Sequence, residues 1–290
     1  MVKKKLKRIG LYAAVLLIVS ETLLPFAWLF ISSIMRQDEL LSEPIHWLPE
    51  KPTFERYNAI LFGKDIEFRG TSLSGPTKVF RQSLVNSFVI SGTATLLAVG
   101  LGTIAGYAFS RLKFLLKEKL LLLAVAVQML PPITIVVPLY ILAKRFHLTN
   151  STLNLIIIYA AITVTYVIWV MVGFFNQIPK ELEESARIDG CSRWSAMWRV
   201  VLPISGPGLV ATGILTFLTV WNEFLFALTF INDSSAKTIS LAIGEFSVKF
   251  SVDYGMMTAG GVLSSIPPVL IALIFQRFIV QGLTSGSVKG

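Results

Sequence analysis

The chain has 290 residues, 54% of them hydrophobic and only 15% charged, against roughly 25% charged in soluble domains. With a mean hydropathy of +0.69, that balance excludes an ordinary water-soluble globule. The net charge of +9 does not signify nucleic acid, because the basic residues sit between long apolar runs rather than in a stripe with interleaved aromatics.

The first segment, Lys3-Lys4-Lys5-Leu6-Lys7-Arg8 before an apolar stretch, has the order of a signal peptide. The stretch is long, however, and Pro25-Phe26-Ala27-Trp28 is no small-residue cleavage site, so it reads as an uncleaved first helix. About 20 apolar residues cross the ~30 Å hydrocarbon layer as a helix. Six windows qualify: Ile9 to Ile34, Leu84 to Phe109, Leu120 to Ala143, Leu153 to Phe175, Gly206 to Phe230 and Tyr254 to Gln276. The expectation is an all-α membrane protein with six transmembrane helices. An even count puts both termini on one side. Lysine and arginine divide fifteen to eleven in favour of that side, which makes it cytoplasmic.

This gives a first helix and extracytoplasmic loop over 1–80, a core of five helices over 81–279 with a cytoplasmic loop at 177–206, and a cytoplasmic tail over 280–290. No phosphate-binding G-x-x-x-x-G-K is present. The run Gly100-Leu101-Gly102-Thr103-Ile104-Ala105-Gly106 lies inside a span, where small residues serve helix packing. Cys191 is the lone cysteine, and the two histidines, His46 and His147, offer no metal-ligand spacing.

Within the spans, Pro25, Pro131-Pro132, Pro138 and Pro267-Pro268 are helix breakers at mid-depth. Backbone groups that proline frees need neighbours or a wet cavity, which suits a polar solute path as well as a kinked bundle. Glu21 and Glu223 are costly in hydrocarbon and belong in the bundle interior or a cavity. Trp221-Asn222-Glu223 combines a ring face with polar acceptors, the set that holds a sugar. Gln128, Asn86 and Tyr107 are further path candidates. The competing reading of Glu223 is a carboxylate bonded to a neighbouring helix.

The loop Asn176 to Gly190 carries the most information. Pro179 suits a helix start, Glu181, Glu183 and Glu184 complement its dipole, and Gly190 is a natural C-terminal cap. Ser192 caps a second helix with Trp194, Met197, Trp198 and Val201 on one face, ended by Leu202-Pro203.

Glu183-Glu184-Ser185-Ala186-Arg187-Ile188-Asp189-Gly190, with Leu202-Pro203 following, resembles the cytoplasmic E-A-A loop of binding-protein-dependent ABC import permeases, with Ser185 where the family has alanine. The ending Gln276 to Gly290 resembles the tail of the smaller permease subunit in the maltose- and trehalose-type branch. Trp221-Asn222-Glu223-Phe224 and Arg81 to Ser87 also look like this family, and the resemblance covers about 80 to 290.

The resemblance implies a type I importer permease fold and a subunit that hydrolyses nothing itself. Its partners would be a second, different permease, two cytoplasmic ATPase subunits that bind ATP and Mg, an extracytoplasmic sugar-binding protein, and membrane lipid. Glu183, Glu184, Ala186, Asp189 and Gly190 would form the coupling helix against the ATPase. Thr284, Ser285 and Gly286 would reach the ATPase interface. The implied cargo is a di- or oligosaccharide. A permease for glycerol phosphate would favour a cationic cavity, where these spans hold carboxylates. An ion-coupled secondary transporter using Glu21 and Glu223 leaves the loop and tail unexplained.

Overall fold

A computed structural model describes residues 2–64, 66–68, 71–248 and 251–285. Its helices are α1 (Val2–Ile34), α2 (Glu55–Phe62), α3 (Ser74–Arg111), α4 (Lys117–Gln128), α5 (Pro132–Arg145), α6 (Thr152–Gln177), α7 (Lys180–Ile188), α8 (Arg193–Ile204), α9 (Gly206–Trp221), α10 (Leu225–Phe230) and α11 (Tyr254–Ser285). Single turns and two short antiparallel hairpins, pairing Glu67 with Ser72 and Ser247 with Val252, lie between them.

Among the described residues, α1, α3, α6 and α11 are long and apolar enough to cross a bilayer. The other two expected spans are not straight. Helices α4 and α5 meet at 96° and α8 and α9 at 78°, so the count reaches six only if each bent pair is one crossing.

The sequence marks the first of these breaks, and a further one, which it does not mark, interrupts the window Gly206 to Phe230. Leu120 to Ala143 divides at Pro131-Pro132, where Pro131 is extended and Pro132 opens α5, because neither ring nitrogen can donate to a preceding carbonyl. Gly206 to Phe230 stops at Trp221 and restarts at Leu225, a break made by the polar residues between them and not by proline. Pro25, Pro138 and Pro267-Pro268 lie inside continuous helices. The helix after Ser192 ends at Ile204, one residue beyond Leu202-Pro203. A π turn at Met197–Val201 precedes that pair. The wider i to i+5 turn gives the proline ring room against the preceding carbonyls.

The chain divides into two compact units, Met1–Arg81 with Ala242–Ile266, and Gln82–Leu241 with Pro267–Gly290. In the first, the side chains of Arg56 and Asp253 are 7% and 6% exposed and 3.9 Å apart. Arg56 also donates to the carbonyls of Ser33 and Met35 at the end of α1, which lack helical partners. Asp253 accepts from the Met256 N–H at 2.9 Å in the first turn of α11. Burial pulls the guanidinium pKa down, and Asp253 opposes that pull. Glu21 is exposed on α1, whose most apolar stretch has no buried residue. The structure thus shows Glu21 exposed, where the sequence places it in a bundle interior or a cavity.

In the second unit α6 is the central helix, buried at Leu155, Tyr159, Val167, Met171 and Phe175. The glycine run of α3 lies against it. A Cβ on Gly102 would stand 2.6 Å from Val167 Cγ1, and one on Gly106 3.0 Å from Met171 Cβ. Gly102→Val should therefore overpack this contact, at a cost of ~1–3 kcal/mol, and lower the thermal denaturation midpoint of the purified complex. An unchanged midpoint would mean the two helices part freely at this point.

Asn86, a path candidate by sequence, is committed elsewhere. Its Nδ2 donates to the carbonyls of Ser235 and Lys237 at 2.8 and 3.0 Å, while Ser87 Oγ accepts from the Ile239 N–H at 2.7 Å. The two residues fasten the loop after α10 to α3.

Candidate functional site

Helix α7 begins after an extended Ile178-Pro179, one residue later than the proline alone predicts. It ends as the glycine requires. Gly190 has φ +93°, its N–H donates to the Arg187 carbonyl at 3.2 Å, and the Cys191 N–H donates to the Ala186 carbonyl at 3.0 Å. These two bonds form a Schellman cap. Ser192 Oγ then accepts from the Ser195 N–H at 3.2 Å and starts α8.

Two faces of α7 do different work. Glu183 and Ala186, three residues apart, are buried. Tyr107 Oη donates to Glu183 Oε1 at 2.5 Å, and Arg111 Nε lies 3.2 Å from Glu183 Oε2, with side-chain exposures of only 4% for Arg111 and 10% for Glu183. Arg111 also donates to the Ile178 carbonyl at 2.8 Å, and Ser110 Oγ donates to Asn176 Oδ1 at 2.7 Å. Tyr107, Ser110 and Arg111 stand at i, i+3 and i+4 on one face of α3, so the last turn of that helix holds both the loop and the start of α7.

The opposite face is free. Glu184, Ser185, Asp189 and Gly190 are exposed, and Ile188 is 86% exposed. In α8, Met197 and Val201 are fully buried while Trp194 and Trp198 are about half exposed, their rings 5.9 Å apart. The single apolar stripe expected there is split between a core side and an outer side.

A rigid, polar-anchored helix that presents a branched aliphatic side chain and two carboxylates to the outside can receive or transmit a rigid-body displacement. Sequence reasoning missed Arg111, Ser110 and Asn176 as its anchors and placed Tyr107 in a path. The signal was present in the 3–4 spacing of polar residues where a span ends.

The second cluster surrounds the break after α9. Glu223 accepts from the Phe226 and Ala227 N–H groups at 3.0 and 3.3 Å, which are free donors in the first turn of α10. Tyr159 Oη donates to it at 2.6 Å, and Ser240 Oγ donates to its carbonyl at 2.8 Å. Trp221 is 3% exposed and stacked on Phe217 at 5.7 Å. Asn222 is exposed, with Nδ2 bonded to the Leu218 carbonyl of its own helix at 2.8 Å. Gln128, also exposed, donates to Thr165 Oγ1 at 3.3 Å. Tyr159 and Thr165 are six residues apart on α6, about 9 Å along the axis.

A cavity of about 460 Å³ in this unit is lined by Tyr166, Trp169, Phe174, Gln177 and Thr212 among others. None of Trp221, Asn222, Glu223 or Gln128 is in its wall. Thr284 and Ser285 continue the backbone of α11 to its end, and Gly286 lies outside the described residues.

Comparison with known proteins decides the family. Residues 98–285 match the model of the binding-protein-dependent transport system inner membrane component. The chain belongs to that family. It is a permease subunit of an ABC importer, a membrane component that carries no catalytic centre. The permease is 34% identical over 98% of its length to the trehalose/maltose transport system permease protein MalG of Thermococcus litoralis, covering 98% of that protein. It is 36% identical to the trehalose transport system permease protein SugB of Mycobacterium tuberculosis, over 96% of this chain and 97% of the relative. In structure, it matches a chain of a bacterial ABC transporter involved in the import of the acidic polysaccharide alginate. That match has a TM-score of 0.76 at 18% identity and covers 93% of this chain and 96% of the other. It shows that the permease has this fold.

Proposed function

We propose that the permease carries a di- or oligosaccharide inward by alternating access, driven by two cytoplasmic ATPase subunits that hold the ATP and Mg. The observation that carries the coupling role is the geometry of α7, tied to α3 by Glu183, with Ala186 buried on the same side, and offering Glu184, Ile188, Asp189 and Gly190 outward. The sugar reading is supported by the trehalose and maltose permeases to which the chain is similar. A second, non-identical permease would cover α1, whose most apolar stretch has no buried residue and whose Glu21 is exposed. An extracytoplasmic binding protein would deliver the sugar. Both termini would be cytoplasmic, with Thr284, Ser285 and Gly286 directed to the ATPase pair.

For the solute path we propose Asn222 and Gln128, which are exposed, with Trp221 and Glu223 setting the break that presents Asn222. Glu223→Gln and Tyr159→Phe should each lower thermal stability, since a hydrogen bond to a charged group contributes ~1.5–3 kcal/mol. The double variant should lose less than the sum of the two. Unchanged melting with an altered uptake affinity would instead put the carboxylate itself on the path.

The deciding experiment is ATP hydrolysis by the purified complex in lipid, with and without a panel of sugar-loaded binding proteins. Stimulation by one of them identifies the cargo. Uptake driven by an ion gradient, with no associated ATPase, would overturn the reading.

A further inference from the structure

The elbow between α3 and α4 has a surface that neither the coupling role nor the solute path uses. It reads Leu112-Lys113-Phe114-Leu115-Leu116-Lys117-Glu118-Lys119. Three lysines face a single carboxylate, and they alternate with large apolar side chains that are turned outward. Leu115 is 87% exposed, Leu116 52% and Phe114 39%. Leu116 is held at φ +63°, a region that leucine disfavours, and Lys117 Nζ reaches back to the Leu112 carbonyl at 3.4 Å. Phe114 is braced edge-on against Phe109 at 5.4 Å. The turn so formed borders an open hollow of about 400 Å³, lined by Lys113, Lys117, Glu118 and Lys119 together with Leu112, Phe114 and Leu116.

Position determines which occupant fits. The elbow joins the end of a bilayer-length helix to the start of the next apolar one, so it lies at headgroup depth. Exposed leucine beside lysine is costly against water but matches an interface where acyl chains meet anionic headgroups. Lys117 and Lys119 also stand in the first turn of α4, where the helix dipole disfavours cations, and an anion there would offset that cost.

We propose that this elbow is a binding site for an anionic phospholipid, with the lysines on the phosphate and Leu115 and Phe114 among its chains. The residue at its edge, Arg111, is the ion partner of Glu183 on α7. A lipid held at the elbow therefore orders the turn that carries the anchor of the coupling helix. This regulatory step rests on the coupling role of α7, whereas lipid binding does not.

The test uses the full complex in nanodiscs of phosphatidylcholine alone or with phosphatidylglycerol. Native mass spectrometry should find phosphatidylglycerol retained by the native complex. The K113Q/K117Q/K119Q variant should retain at least about tenfold less, since each lysine near an anionic surface contributes ~1 kcal/mol. Leu115→Ser should also reduce retention. K144Q/R145Q, which removes two cations at the end of α5, should not. Glycerol phosphate or inorganic phosphate, added as free anions, should fail to displace the lipid. Sugar-stimulated hydrolysis should rise with the phosphatidylglycerol fraction in the native complex and stay flat in the triple variant. Equal retention in native and triple variants, or displacement by free phosphate, would overturn the site. So would protection of 112–119 from hydrogen exchange on adding the ATPase in neutral lipid, because the ATPase would then be the occupant. Lost retention with an unaltered lipid response of hydrolysis would leave a lipid site and overturn only its regulatory role.

Discussion

Gly190→Val is expected to abolish sugar-stimulated ATP hydrolysis and uptake while the permease still inserts and assembles. At φ +93° the backbone is in a region that costs an L-residue ~1–2 kcal/mol, and a β-branched side chain has less freedom to adapt than alanine. A Cβ at this position meets nothing within 4 Å, so the substitution adds no clash in the core. Its whole effect falls on the cap, where the Gly190 and Cys191 amides hold the last carbonyls of α7. The helix should fray at Ile188 and Asp189, on the outward face that the proposal gives to the ATPase. Rate loss of at least tenfold with unchanged expression and membrane extraction is the expected result, and Gly190→Ala should fall between native and valine. Full stimulation in the valine variant would remove α7 from the coupling route.

How much of this was legible in the sequence differs from site to site, for physical reasons. Gly190 could be read because a left-handed cap is a local requirement with a local residue signature, and Ser192 for the same reason. The break at Pro131-Pro132 was readable because two adjacent residues lack donors. The break after Trp221 was not, since it depends on Glu223 taking the free amides of Phe226 and Ala227 and on Tyr159, 64 positions away, meeting the carboxylate. Pro267-Pro268 misled in the opposite direction, because α11 continues through them. Glu183 was assigned to the outward coupling surface with its neighbours. Its burial depends on Arg111 and Tyr107, which only the close approach of the chain ends of α3 and α6 supplies. Asn86 and Tyr107 were valued as polar groups in a membrane, and both proved to be fasteners. A polar residue in a span marks a partner; the sequence does not say whether that partner is cargo or backbone.

Glu183→Ala should show how far the seat of α7, rather than its outer surface, controls coupling. Removing the carboxylate leaves Arg111, whose side chain is 4% exposed, with a buried charge held, among the described residues, by the Ile178 carbonyl. Breaking a buried pair in this way costs ~3–5 kcal/mol. The core below it does not depend on the pair, because Met197, Val201 and Phe175 are fully buried and Gly102 and Gly106 still admit α6. The loss should therefore concentrate in 176–190, read as faster hydrogen exchange there with α6 unaltered, and stimulated hydrolysis should fall while basal hydrolysis persists. Glu183→Gln keeps an acceptor for Tyr107 and should lie between the two. Adding Arg111→Met to Glu183→Ala removes the stranded charge, so the double variant should regain part of the stability, since a buried pair replaced by apolar groups is often close to neutral. If the double variant recovers stability but not stimulation, the pair holds α7 in its working orientation. If it recovers both, the charges serve folding alone, and the outward residues carry the coupling without them.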